Sequence, residues 1–319
     1  MNVDLVTKPY QYGNEKDICE LFYNVYKSHL TSENWNWRFR NSPSGQGKIS
    51  LSWHDSVLSA HYAVTSVNFS IEGKNCKTGL SGTTMTHPDY RGLGLFPILA
   101  EDVYSLMKSD GFAMVWGFPN NMSHRTFVKN LGWEDIYEIP FFRLKLDVVK
   151  DIPKRNNDIM FIERFDDRFD NLWDVARNNY SIIGYRDKKQ LNWRYVDKPD
   201  SNYSIVSYVH AGNLIGYLVF KQYNEELQIV DILTANTDAN DGLTLVLEVV
   251  RLAIEMKLKS VSMWLNLNTP LHRELEKYGF INDAPVTYFG ARLLTESIQE
   301  SHVFNMRNWY ITMGDSDVF

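Results

Sequence analysis

The sequence predicts a mixed α/β (α+β) fold built as two consecutive copies of one plan, and three observations carry that prediction. A short motif repeats: Asn36-Trp37-Arg38-Phe39 with Pro43 returns as Asn192-Trp193-Arg194-Tyr195 with Pro199, an offset of 156. The same offset lays Leu58-Ser59-Ala60-His61 on Leu214-Ile215-Gly216-Tyr217. Further along, Trp116 falls on Trp264 at an offset of 148, and Leu131-Gly132-Trp133 on Tyr278-Gly279-Phe280 at 147. One supersecondary plan used twice, slightly shortened the second time, accounts for the drift. The second observation is that strand and helix periodicities follow one order in both copies. The third is the polar stretch Lys150 to Asp158, with Pro153 and two asparagines, which reads as a linker and sets domains at 1–149 and 150–319.

Taken in order, each copy opens on helical periodicity (Glu15 to His29; Asp170 to Asn179) and then reaches its Trp-Arg motif. Alternating apolar residues predict strands over Ile49 to Trp53, Leu58 to Phe69 and Cys76 to Met85 in the first copy. In the second they predict Tyr203 to His210, Leu214 to Tyr223 and Glu226 to Leu233. Long amphipathic helices follow, Pro97 to Lys108 and Gly242 to Met256, and then an apolar strand, a short helix and a last strand. Strands and helices in this mixed order define the class.

Composition narrows the function. An apolar share of 44% with 14% aromatic residues supplies a sizeable core over 319 residues. The two cysteines, Cys19 and Cys76, match no metal or redox spacing, so no metal site is expected. No apolar run approaches the roughly 20 residues that span a bilayer. A basic-then-apolar leader is also absent, so a cytoplasmic protein with no membrane partner is expected. A net charge of −6 without a long basic block argues against nucleic acid as the partner.

The chemistry is concentrated in Thr86-His87-Pro88-Asp89-Tyr90-Arg91-Gly92-Leu93-Gly94-Leu95-Phe96, where a strand ends at a proline and a basic, glycine-rich turn leads into a helix. Such a turn aims backbone N–H groups and a helix N-terminus at one spot, a seat for a phosphate. Gly92 and Gly94 allow close backbone approach that a Cβ would block. The segment lacks the Gly-Lys-Ser/Thr of the nucleotide P-loop and the three glycines of the dinucleotide fingerprint.

These residues resemble the acyl-CoA pyrophosphate loop of the GNAT superfamily of N-acyltransferases, Arg/Gln-x-x-Gly-x-Gly/Ala. Gly117-Phe118-Pro119-Asn120-Asn121 and Leu131-Gly132-Trp133 resemble the family's later motif. The resemblance implies two tandem GNAT folds, each a mixed, mostly antiparallel sheet flanked by helices. It makes acyl-CoA the co-substrate, held by Arg91, Gly92, Leu93, Gly94, Leu95 and Phe96. The backbone of the preceding strand, including Thr84, Met85 and Thr86, is implied to bind the pantetheine arm and the thioester carbonyl. Phe96 stands where the family has a small residue, which is expected to narrow the room at the helix start. Asn120, Asn121 and Ser123 are candidate contacts to the pantetheine arm, with a polar cap on the following helix as the alternative reading. The tyrosine that the family often uses as general acid is replaced by Val128.

The second copy departs at the loop. At the 148 offset, Arg91-Gly92-Leu93-Gly94-Leu95 becomes Ala239-Asn240-Asp241-Gly242-Leu243, with Asp238 alongside. Two carboxylates repel a pyrophosphate that Arg91 attracts. The first copy is therefore expected to bind cofactor and the second to shape the acceptor pocket.

For the base, His61 is the first candidate and His124 the second, because imidazole accepts a proton near neutral pH. His61 also fits a packed strand histidine, and a water chain without a protein base stays open. Trp37 and Arg38, together with Tyr62 and Arg194, are candidate acceptor contacts; their recurrence in both copies equally fits a repeated structural element. Within the superfamily, Ala60-His61-Tyr62-Ala63-Val64 and the loop are similar to tandem enzymes that acylate nucleotide-linked amino sugars for bacterial surface polysaccharides. That similarity implies transfer of an acetyl or short hydroxyacyl group, such as 3-hydroxyacyl, to the amine of a dTDP-type deoxysugar. An aminoglycoside or protein amine acetyltransferase and a non-catalytic CoA-binding sensor are the alternatives.

Overall fold

The computed structural model describes residues 4–267 and 269–319, the side chains of 284–286 excepted. In chain order the elements are β1 (Leu5–Pro9), α1 (Glu15–Tyr26), α2 (Ser32–Phe39), β2 (Lys48–His54), β3 (Val57–Ile71), β4 (Lys74–Thr86), α3 (Leu95–Ser109), β5 (Met114–Gly117), α4 (His124–Asn130) and β6 (Glu134–Lys145). There follow β7 (Ile159–Ile162), α5 (Arg168–Ala176), β8 (Ile182–Gly184), α6 (Lys188–Leu191), β9 (Ser204–His210), β10 (Asn213–Tyr223), β11 (Glu226–Thr234), α7 (Ala239–Glu255), β12 (Ser260–Met263), α8 (Pro270–Tyr278), β13 (Ile281–Leu293), α9 (Glu300–Val303) and β14 (Trp309–Tyr310).

The chain forms two compact units whose boundaries differ from the expected 149/150 division. Unit 1 holds Met1–Phe69, Asn75–Tyr137 and Tyr288–Asn305; unit 2 holds Ser70–Lys74, Glu138–Thr287 and Met306–Phe319. The reason lies in two strands. β6 passes out of unit 1 and pairs antiparallel with β12 over Phe142 to Lys145. The end of β13, Gly290 to Leu293, instead pairs antiparallel with β5 in unit 1. The polar stretch 150–158 therefore lies within unit 2.

In unit 1, β1 pairs antiparallel with β2 and β2 with β3. β4 is the next strand and pairs parallel with β5. One face is covered by α3 and α4 around Leu99, Val103, Met107, Phe127 and Trp133. The α1–α2 layer covers Leu51, Leu58, Ala63 and Met85 with Ile18, Leu21, Trp35 and Phe39. The alternation along β3 decides which face each residue serves: Ala60, Tyr62 and Val64 join the α3–α4 core, while Ala63 joins the other. Unit 2 repeats the plan, with β11 paired antiparallel with β10 and parallel with β12, under the apolar face of α7.

The predicted elements differ from the observed ones mainly at their ends. α1 stops at Tyr26 because Lys27 turns left-handed at φ 54° and closes on the Tyr23 carbonyl. α3 begins two residues earlier than expected, at Leu95, with Pro97 in its first turn, where the missing N–H is tolerated. The short strands β1, β7, β8 and β14 are not among the predicted elements.

Candidate active site

The glycine-rich turn of unit 1 leaves the start of α3 without a side-chain cap. His87 accepts a hydrogen bond from the Asp89 N–H at 3.3 Å and starts a tight turn over Pro88–Tyr90. Gly92 and Gly94 follow at φ 83° and 72°, a conformation that L side chains rarely adopt. Gly94 caps α3 with no side chain to bond the helix's first N–H groups, and the first turn holds no acid. Those donors and the positive end of the helix dipole therefore face outward. Arg91 is exposed and makes no ion pair among the described residues.

Phe96 does not narrow the room at this helix start. Its ring turns into the core, 5.8 Å from Tyr62 and 5.0 Å from Phe127 between centroids. The bulky residue is accommodated because α3 points that position at the sheet, away from the loop.

Behind the loop, β4 and β5 share only the pairs Gly79↔Val115 and Leu80↔Trp116 and then part. β4 continues to Thr86, so its backbone from Ser81 onward lines one arm of a fork. Gly117 lines the other, and a Cβ there would stand 3.2 Å from the Ser81 carbonyl oxygen. At Thr83 the strand carries a non-glycine residue at φ 56°, a local break in the extended backbone.

Three side chains from the α1–α2 side hold that break. The His61 Nδ1–H donates to the Thr83 carbonyl at 2.8 Å, and the Tyr26 hydroxyl donates to the Thr84 carbonyl at 2.8 Å. Arg38 donates through Nε to Thr65 Oγ1 at 3.0 Å and through a terminal nitrogen to Thr83 Oγ1 at 3.3 Å. Trp37, on the same helix, is half-buried. Met85 packs its side chain into the α1–α2 core, while Thr84 and Thr86 stay half-buried on the fork arm.

His61 is fully buried, and that burial pushes its imidazole down to about 4. With Nδ1–H spent on Thr83, the neutral ring presents a lone pair at Nε2, which is sealed from solvent without a partner. The geometry gives this histidine a hold on the strand break. Tyr62, expected among the acceptor contacts, is corrected to a core position. It has no exposed surface, and its hydroxyl bonds Ser81 and Tyr104, each at 2.8 Å.

In the loop after β5, Asn120 and Ser123 are tied to each other, and neither side chain caps α4. Asn120 Oδ1 accepts the N–H groups of Met122 and Ser123 at 3.1 and 3.0 Å, and the Ser123 hydroxyl bonds back to Asn120. Asn121 is exposed. His124, the first residue of α4, bonds Asp135 through Nε2 at 2.8 Å and stacks on Tyr288, with centroids 3.9 Å apart at 9°.

In unit 2 the corresponding places are filled by the chain itself. Asp238 caps α7 by accepting the Asn240 N–H at 2.9 Å, and Asn236 donates to Asp241 at 3.3 Å. Gly242 persists for packing: a Cβ there would stand 2.8 Å from Leu271. Arg194 is corrected from an acceptor contact to a structural clamp. It is buried, and its guanidinium donates to the carbonyls of Gly314, Ser316 and Phe319 and to the Tyr203 hydroxyl. Tyr217, aligned with His61, bonds Asp231 at 2.8 Å, and Arg186 pairs with Asp231 and Asp315. Tyr310 donates to the Ile232 carbonyl and Asn266 to the Trp309 carbonyl.

Sequence reasoning missed Tyr26, the Thr83 break and Ser81. Tyr26 lies at a helix end with no motif around it, and Thr83 is not a residue that signals positive φ. Among the described residues no helix is long and apolar enough to cross a membrane.

Residues 7–136 match a family model described as an acetyltransferase (GNAT) domain. No curated protein matches the sequence. Among solved structures, the chain is similar to a probable N-acyltransferase of Enterococcus faecalis V583, at 14% identity and TM-score 0.68, over 91% of this chain and 73% of that one. Saccharomyces cerevisiae N-myristoyltransferase with bound myristoyl-CoA aligns at 11% identity and TM-score 0.64, over 91% and 83% of the two chains. A tandem GNAT protein from the clavulanic acid biosynthesis pathway aligns at 12% identity and TM-score 0.62, over 92% and 100%.

Proposed function

We propose that this acyl-CoA-dependent N-acyltransferase, whose residues 7–136 match a GNAT acetyltransferase domain, moves an acetyl or short hydroxyacyl group to the amine of a nucleotide-linked, dTDP-type amino deoxysugar. The observation that carries the cofactor part is the contrast between the two helix starts. α3 opens with a glycine cap, no acid and an exposed Arg91, whereas α7 is capped by its own Asp238. An anion gains from the first and is repelled by the second. Acyl-CoA then binds in unit 1, with the pyrophosphate on the Arg91-to-Phe96 turn and the pantetheine arm along the β4 backbone in the fork.

The amine attacks the thioester carbon, the N–C bond forms, the C–S bond breaks with its electron pair left on sulfur, and the amine's surplus proton is taken up by a base and ends on the thiolate. The enzyme's work is to hold the two groups together and to stabilise the charge that develops. The strand break at Thr83 and Thr84 aims backbone groups at the reacting carbonyl, and His61, Tyr26 and Arg38 fix it. The half-buried Trp37 and Arg38 beside that break support an acceptor carrying a flat ring and an anionic group. His124, oriented by Asp135, is the candidate proton acceptor left after the burial of His61.

Thiol release from acetyl-CoA and 3-hydroxybutyryl-CoA, with dTDP-linked amino sugars and an aminoglycoside offered as acceptors, tests the reading. Release with the nucleotide sugars is expected. Release with the aminoglycoside alone moves the acceptor to polycationic amines, and bound CoA with no release under any acceptor removes catalysis.

A further inference from the structure

A chain of four side chains crosses the core of unit 1 and ends at the fork. The Trp133 indole N–H donates to the Tyr104 hydroxyl oxygen at 2.9 Å. Tyr104 and Tyr62 share a hydrogen bond of 2.8 Å, and Tyr62 and Ser81 another of 2.8 Å. All four residues are buried, Ser81 being the most exposed at 8%. The direction of this chain is fixed by chemistry. An indole N–H can only donate, so Tyr104 accepts there. If Tyr62 also donated to Tyr104, the Tyr104 proton would be left in the core without an acceptor, which is costly. Tyr104 therefore donates to Tyr62, and Tyr62 donates to Ser81. The Ser81 hydroxyl proton is left over, with no acceptor among the described residues, at the point where β4 and β5 part. Gly117 faces it across the fork without a side chain.

We propose that Ser81 is an oriented hydrogen-bond donor to the sulfur of bound CoA, stabilising the thiolate as the C–S bond breaks, with Tyr62 and Tyr104 as the residues that position it. This rests on the placement of the pantetheine arm in the fork. The chain acts as a fixed dipole. The Trp133 indole N–H is too weak an acid to release its proton, and burial holds the Tyr62 and Tyr104 phenols well above their ordinary range, so neither ionises. The thiol's proton comes from the attacking amine, and Ser81 keeps its own. Preorganised donors of this kind need no reorganisation when charge appears.

The test is the ionisation of bound CoA thiol, which needs no acceptor. Thiolate absorbance is titrated against pH with protein in excess, as a difference from the complex with desulfo-CoA, for the wild type, Ser81→Ala, Tyr62→Phe and the double variant. The wild type is expected to ionise the bound thiol on the order of one pH unit below Ser81→Ala, the scale of one hydrogen bond to a charged group. Tyr62→Phe should recover part of that difference, and the double variant should match Ser81→Ala, because Tyr62 acts only through Ser81. Desulfo-CoA affinity should stay within about threefold throughout, less than half a tenfold step on the free-energy scale. Equal ionisation in the wild type and both single variants overturns the proposal. Additive effects of the two substitutions overturn the positioning role. A wild type that binds no CoA at all overturns the cofactor reading itself, a result distinct from either.

Discussion

At the scale of single residues, Arg91 and His61 separate what the motif conveyed from what burial decides. Arg91 is singled out because a basic residue before two glycines at a strand-to-helix turn suits a phosphate, and the structure leaves it exposed. Arg91→Glu should weaken acetyl-CoA binding at least tenfold, about 1.4 kcal/mol, through loss and reversal of charge, as titration calorimetry would read. His61 was legible as a strand histidine, but its depth was not, since strand alternation does not say which residue seals a face. Its pKa of about 4 lies below the 6.5 of the exposed group, with burial as the cause. Between those values the unfolded chain binds a proton that the folded chain does not. The folded state therefore loses stability as pH falls from 6.5 towards 4, by about 3 kcal/mol over the whole window. Urea melts at pH 7 and pH 4.5 should show this slope in the wild type and a flatter one in His61→Gln. Parallel slopes would mean that other groups carry it.

The helix starts are the features that matter at the scale of elements. The contrast between α3 and α7 is readable in the amino-acid order alone, because Arg91 and Asp241 fall within aligned segments and reverse the local charge. What could not be read is that Asp238 is used as a cap, bonded to the Asn240 N–H. Asp238→Ala should therefore cost about 1 kcal/mol of stability and leave acetyl-CoA affinity unchanged. A gain of a second binding equivalent in that variant would mean that charge alone had closed the second loop. The Trp-Arg repeat was also visible, yet its two arginines have different employment. Arg38 links Thr65 on β3 to Thr83 at the strand break, whereas Arg194 clamps carbonyls near residues 314–319. Spacing records the shared plan of the two helices, while the partners come from segments remote in sequence. Arg194→Ala leaves several carbonyls unpaired in the core and should lower the melting temperature more than Arg38→Ala. The opposite order would put the structural clamp in unit 1.

For the whole molecule, the repeat revealed two copies but misplaced their division. A proline-containing polar stretch is an ordinary linker signal, and nothing in residues 150–158 shows that unit 2 has already begun at Glu138. The exchange of β6 and the end of β13 between units depends on pairings more than a hundred residues apart, which local periodicity does not encode. It carries a direct consequence for expression of fragments. A 1–149 fragment lacks Gly290 to Leu293, the antiparallel partner of β5, and a 150–319 fragment lacks Phe142 to Lys145, the partner of β12. Each would leave an unpaired edge in its sheet. Neither fragment alone should give a cooperative melt, and a cooperative melt from either would contradict the division described.

The proposed mechanism depends on one acyl-CoA binding at the α3 turn of unit 1. Calorimetric titration of acetyl-CoA into the wild type and Arg91→Glu puts that dependence to the test. One equivalent bound by the wild type is expected, with an affinity at least tenfold weaker in the variant and an unchanged melting temperature. Two equivalents, or one equivalent bound equally well by both proteins, would place the cofactor elsewhere.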